Sequence, residues 1–280
     1  MQLRIPGPTP IPSQILETMS KQMINHRGKE FSDLIWGATQ RLKEIFQTKG
    51  DIFILTGSGT GGMEAVIVNT LSPGDRVLSV SIGAFGDRFA DIAQSFGADV
   101  VKPRFEWGKA ADPDEVRKAL NDDPSIRAVL VTHNETSTGV TNNLASISRV
   151  VRGFDKLLLV DAISSIGSID LPVDEWGCDV VVTGSQKGWM APPGVSMVSV
   201  SKRAWRANRE ARMPRFYWDF QKAKDYLENR GQTPWTPALT TFYALSASLE
   251  MMAQEGLPNI IARYQRVGKA GFCHFLHNSY

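Results

Sequence analysis

The sequence predicts an α/β protein: a mostly parallel seven-stranded sheet with helices on both faces. Three observations carry that prediction. Short apolar, β-branched runs recur at 52–55, 77–80, 100–102, 128–132, 157–160, 180–183 and 196–199, with the length and composition of buried strands. Helical patterns separate many of them, near 62–70, 85–96, 112–120 and 146–151, the alternation expected of a parallel sheet. Glycine-rich or polar segments follow several of the runs, where open α/β sheets place their ligands.

Residues 1–12 hold four prolines and Gly7, so they form an extended arm. Ser13 can cap a helix running to about His26, with Ile15, Leu16 and Met19 on one face. A second helix over 31–48 places Leu34, Ile35, Leu42, Ile45 and Phe46 together and stops at Gly50. Beyond residue 202 the chain turns charged and aromatic, and Thr233-Pro234-Trp235-Thr236-Pro237 forms a rigid turn. A long helical pattern covers 240–269, broken near Gly256-Leu257-Pro258.

Composition narrows the class. A chain of 280 residues with 42% hydrophobic content can bury one large core. Lys plus Arg number 31 against 29 for Asp plus Glu, a net charge of +2, with no basic run, which argues against nucleic-acid or membrane-surface partners. Cys178 and Cys273 form no CxxC and no zinc-ligand spacing, which fits a reducing compartment. The N-terminus lacks an apolar signal core and no run reaches membrane-spanning length, so a soluble, cytoplasmic protein is expected.

The chemistry is sought at the strand ends. Lys187 follows the run at 180–183 and is flanked by small residues and Ala191-Pro192-Pro193-Gly194. A partly desolvated amine there could form a Schiff base with a carbonyl compound, or could be a solvated loop lysine. Gly57-Ser58-Gly59-Thr60-Gly61-Gly62 lies between a strand and a helix, so its free N–H groups and hydroxyls suit a phosphate. The same residues match GxGxxG, but the following strand ends Ser79-Val80-Ser81-Ile82-Gly83 with no acid for a ribose, which weighs against a dinucleotide. Asp161, at the end of 157–160, either caps the next helix or holds a proton on a heterocyclic nitrogen. Thr136, in the His133–Gly139 stretch, could donate to a phenolate oxygen, while His133 reads as a satisfied core histidine. Phe85, flanked by Gly83 and Gly86, is either core or a ring laid on a flat ligand. An amine, a carboxylate, a phosphate cup and an aromatic at strand ends form the set pyridoxal phosphate needs.

GSGTGGMEA from Gly57, THNETSTGV from Thr132, LLLVDAISSIG from Leu157 and GSQKGWMAPPG from Gly184 together resemble the class V, fold-type I aminotransferases. The branch is that of the alanine–glyoxylate, serine–glyoxylate and serine–pyruvate enzymes, and the resemblance runs from Gly7 to about Lys269. It implies that Lys187 is the Schiff-base lysine and proton carrier, and that Asp161 pairs with the pyridinium nitrogen. It implies that Phe85 stacks on the ring, that Ser58, Gly59, Thr60 and Gln186 hold the phosphate, and that Thr136 approaches the phenolic oxygen. Thr236 would serve the neighbouring subunit's phosphate site, which implies a homodimer with shared active sites. The implied reaction passes an amino group from a small amino acid, serine or alanine, to a 2-oxo acid such as glyoxylate or pyruvate. On this basis the chain divides into an arm (1–20), a large cofactor-binding domain (21–240) and a connecting helix with the start of a C-terminal domain (241–280).

One departure stands out. The family continues into a small C-terminal domain carrying an arginine for the substrate carboxylate, which the sequence to Tyr280 lacks. A truncated or frame-shifted product is the hypothesis this raises; such a product would bind the cofactor with weak or absent turnover and expose an apolar face of its last long helix. Other class V chemistries, a cofactor-binding subunit without turnover and an NAD-binding protein are the alternatives.

Overall fold

The β-branched runs each become a strand, and glycine or a small polar residue ends most of them. The computed structural model describes residues 3 and 5–277. Seven strands form one sheet: β1 (Asp51–Thr56), β2 (Arg76–Val80), β3 (Asp99–Val101), β4 (Ala128–Thr132), β7 (Leu157–Asp161), β8 (Val180–Gly184) and β9 (Val195–Val200). Their spatial order is β1-β9-β8-β7-β4-β2-β3. Only β9 runs against its neighbours β1 and β8, so the ends of β1, β2, β4, β7 and β8 open on one side. Every residue of β4, β7, β8 and β9 is buried, the reason these strands read as continuous apolar runs. A short hairpin of β5 (Asn134–Glu135) and β6 (Val140–Thr141) leaves the end of β4.

Helices cover both faces. α3 (Gly59–Thr70) lies on β8 and β9, and α4 (Ala84–Ser95) on β2, β3 and β4. Close approach needs Gly62 in α3, where a Cβ would stand 2.6 Å from Val182 Cγ2. α5 (Pro113–Asp122) packs on α6 (Leu144–Gly153), α6 contacts β7, and the short α7 (Val173–Trp176) follows. α8 (Lys202–Glu210) leans on α3, and α9 (Phe220–Arg230) on β1. Asp112, Asn143, Ser201 and Asp219 each cap a helix by accepting a backbone N–H, worth about 1 kcal/mol apiece.

Several boundaries differ from the sequence reading. α1 covers only Ser13–Thr18, and Ser13 is its first residue, not its cap. Thr18 Oγ1 and Ser20 Oγ donate to the carbonyls of Ile15 and Glu17, and no apolar stripe continues past Met19. α2 (Lys29–Phe46) ends because Gln47 adopts a left-handed conformation, three residues before the expected stop at Gly50. The long C-terminal pattern breaks where expected, at Gly256, into α10 (Leu239–Glu255) and α11 (Leu257–His277). α10 packs on α1 and α2 and buries Phe242, Leu245, Leu249 and Met252, so the expected exposed apolar face does not fall on it. Exposed Val267 lies on α11. α8, α9 and the hairpin were not read from the sequence.

Candidate active site

Lys187 stands three residues beyond β8, on a turn made rigid from within. Ser185 Oγ donates to Pro192 O at 2.6 Å. Trp189, fully buried, donates its indole N–H to Thr183 Oγ1 at 2.9 Å and stacks on Phe46. Burying such a ring stabilises the turn's base by about 2–3 kcal/mol. The arm lies across the turn: Thr9 N–H donates to Gln186 O at 3.0 Å, and Thr9 Oγ1 to Lys187 O at 3.0 Å. Lys187 Nζ donates to Pro6 O at 2.9 Å.

Partial burial lowers the Lys187 pKa, and the charge of Asp161 opposes that shift without cancelling it. The amine is thus more readily a free base than a solvated lysine. It lines a cleft of about 360 Å³ with Pro6, Thr9, Ser164, Ser168 and Tyr264.

Gly7 is the closest constraint on that amine. Its φ is +147°, and a Cβ would stand 2.7 Å from Lys187 Cδ and 2.8 Å from Nζ. Gly7→Ala is therefore expected to push the lysine off the Pro6 carbonyl and to lower turnover about a hundredfold, since displacing a reacting group by about 1 Å has that effect. Steady-state rates read that loss, and a thermal melt of the same sample reads separately the backbone strain an alanine meets at this φ.

Asp161 ends β7, beside β8 in register with Val182. It is buried; Oδ1 accepts the Ile163 N–H at 2.9 Å and Oδ2 lies 3.4 Å from Thr132 Oγ1. Burial pushes its pKa up to about 6. It therefore does bond the backbone two residues on, yet its second oxygen holds only a long contact. His133 proves to be a core residue: buried, 3.0 Å from Ser165 Oγ, edge-on to Trp176, with burial lowering its pKa to about 4.

The glycine segment after β1 forms the start of α3. Ser58 is the N-cap, and its Oγ accepts only the Gly61 N–H, at 3.3 Å. A Cβ on Gly59 would meet Ile163 Cδ1 at 2.5 Å, so this turn lies against the residues following Asp161. The outer wall is Trp218, whose indole would meet a Cβ on Gly57 at 2.6 Å or on Gly61 at 2.8 Å. Asn69 holds Trp218 by donating to its carbonyl. Gln186 Oε1 is buried without a hydrogen-bond partner.

Phe85 is half-buried in the first turn of α4, and the guanidinium of Arg88 lies 4.7 Å over its ring. Thr136 sits half-buried in the β5–β6 turn. Thr236 is exposed, and its turn packs Trp235 on Tyr217 and Phe216 at the end of β1. Sequence reasoning missed Trp218, Asn69 and Glu135. Among the described residues no group of three or more His, Cys, Asp or Glu side chains could hold a metal, and no helix is long and apolar enough to cross a membrane.

The family model of class V aminotransferases matches residues 3–271. The chain is a class V aminotransferase. A solved structure described as alanine–glyoxylate aminotransferase from Nostoc superposes with a TM-score of 0.91 at 31% identity, covering 96% of this chain and 75% of that one. The serine–glyoxylate aminotransferase of Methylorubrum extorquens is 39% identical over 96% of this chain and 69% of its own length. A Synechococcus protein named the small subunit of a soluble hydrogenase is 45% identical over 96% of this chain and 70% of its own length. The cofactor of this aminotransferase is pyridoxal phosphate, and the residues present fit it. The partnerless Gln186 oxygen, the open first turn of α3 and the buried Asp161 carboxylate offer groups for its phosphate and ring nitrogen.

Proposed function

We propose that this aminotransferase moves the amino group of a small amino acid, serine or alanine, to a 2-oxo acid, glyoxylate or pyruvate. The observation that carries the reading is the placing of Asp161 at the end of β7 and Lys187 just beyond the end of the neighbouring parallel β8, the amine half-buried and the carboxylate wholly so. The names of the relatives support the substrate classes.

When bound, pyridoxal phosphate supplies a sink for the electron pair left at a substrate carbon that loses its proton. The chain supplies the rest. Lys187 Nζ, biased toward the free base by burial, removes and returns that proton. Asp161, ionised, holds a proton on the ring nitrogen. Ser58, Gly59, Thr60 and Gln186 bind the phosphate, since N–H groups at a helix start favour an anion. Phe85 lies on the ring, as its ability to accept the planar Arg88 guanidinium supports. Thr136 approaches the phenolic oxygen. The arm, through Pro6, Gly7 and Thr9, keeps water from the amine. Thr236 serves the site of a second copy, so the working unit is a homodimer.

The test is spectroscopic. Serine or alanine added to the purified protein carrying pyridoxal phosphate should bleach its visible absorption band, and glyoxylate should restore it. A band that ignores both amino acids but responds to another donor overturns the substrate assignment. A folded protein that takes up no pyridoxal phosphate overturns the site assignment.

A further inference from the structure

The first turn of α4 hangs on one buried carboxylate from another part of the chain. Glu135, in β5, is fully buried. Its oxygens accept the Phe85 N–H at 3.1 and 3.3 Å, the Gly86 N–H at 3.0 Å, the Ser137 N–H at 3.0 Å and the Ser137 hydroxyl at 2.7 Å. Ser137 Oγ accepts the Ala84 N–H at 3.0 Å. The hairpin thus satisfies three consecutive amides of the helix start, because the N-cap, Gly83, has no side chain to do so. Gly83 must remain glycine for the same reason: a Cβ there would stand 2.4 Å from Glu135 Cγ.

An ordinary cap is a short polar side chain on the helix's own first residue, and it fixes only local geometry. Glu135 instead ties the helix start to the segment leaving β4, the strand paired with β7 and Asp161. A carboxylate facing N–H groups and a helix N-terminus is held by charge-assisted bonds about twice as strong as neutral ones. Phe85 is the second residue of that helix, so the direction of its ring follows from where these amides are pinned.

We propose that Glu135 is a positioning residue that fixes the Phe85 ring toward the space between Asp161 and Lys187, acting through the amides of Phe85 and Gly86. The proposal rests on the reading of Phe85 as the residue lying on the cofactor ring. Glu135→Gln tests it, because the amide has nearly the same shape but turns a donor NH2 toward N–H groups.

The experiment titrates cofactor-free protein with pyridoxal phosphate and follows the affinity and the visible circular dichroism per bound cofactor. Phe85→Ala should weaken binding about tenfold, the scale of a lost aromatic contact. Glu135→Gln should weaken it by a similar factor and lower the dichroism to the Phe85→Ala level. The double variant should bind no more weakly than Phe85→Ala alone. If Glu135→Gln weakens the Phe85→Ala background as much as the parent, its role is general support and the proposal fails. If Phe85→Ala leaves affinity and dichroism unchanged, the reading of Phe85 fails instead. Should Glu135→Gln not fold, Ser137→Ala removes one donor to Glu135 and the acceptor of the Ala84 N–H, and leaves the charge. It should weaken binding about threefold in the parent and not at all with Phe85→Ala; equal weakening in both backgrounds overturns the proposal.

Discussion

Lys187→Ala is expected to lower turnover by about 10⁴-fold or more while the protein stays folded. Two contributions vanish together, covalent attachment through the amine and proton transfer by it, and each alone is worth orders of magnitude. The cleft offers no substitute: of its lining groups only Lys187 carries an amine, and the others are hydroxyls, an amide, backbone and apolar surface. Stability should change little, because the side chain is half-buried and makes one hydrogen bond, to Pro6 O, worth about 1 kcal/mol net. Single-turnover absorbance and a thermal melt of the same sample separate the two effects. A small primary amine such as methylamine has room in the cleft and should restore part of the lost rate. Turnover within tenfold of the parent, or a loss that tracks unfolding, would mean that Lys187 is not the working base.

How legible the site was depended on how local its contacts are. Strands β4, β7 and β8 read clearly because both their faces are buried, so no polar residue interrupts them until the strand ends. For the same reason Asp161 and Lys187 stood out: each is the first ionisable group after such a run. Residues whose work depends on distant partners were silent. Glu135 serves amides 49 and 50 positions away, Asn69 reaches Trp218 across 149 positions, and Pro6 receives a hydrogen bond from a residue 181 positions on. No period or motif records such pairings. α8 and α9 are a different case. Ser201 and Asp219 cap them, a signal present in the sequence but masked by the charged faces that follow. His133 was read correctly because a lone histidine after a buried strand has hydroxyls to meet, and Ser165 is one.

Asp161→Asn should trade function for stability. In the folded chain without cofactor the carboxyl titrates near pH 6, raised from an ordinary value of 3.8 chiefly by burial. Its folded pKa lies above its unfolded one, so the native state holds the proton more tightly between those values. Stability from this group is therefore complete below about pH 4 and is lost as the pH rises through 6. The asparagine carries no charge to desolvate and keeps an oxygen for the Ile163 N–H and an amide for Thr132. The cofactor-free variant should then match the parent below pH 4 and exceed it by about 3 kcal/mol at pH 7, an order-of-magnitude figure from the shift. His133 has the opposite sign: its folded pKa near 4 lies below the usual 6.5, so its contribution falls as the pH drops from 6.5 toward 4. The two trends offset one another in the parent, and the variant should show the histidine's acid lability openly. Urea unfolding from pH 4 to 7 reads this directly, and the difference between variant and parent cancels the other carboxylates. Turnover should meanwhile drop about 10²–10³-fold, because no anion remains to hold the ring nitrogen's proton. A variant less stable than the parent at pH 7 would show that the buried carboxylate is not under strain. Unimpaired turnover would show that it does not face the ring.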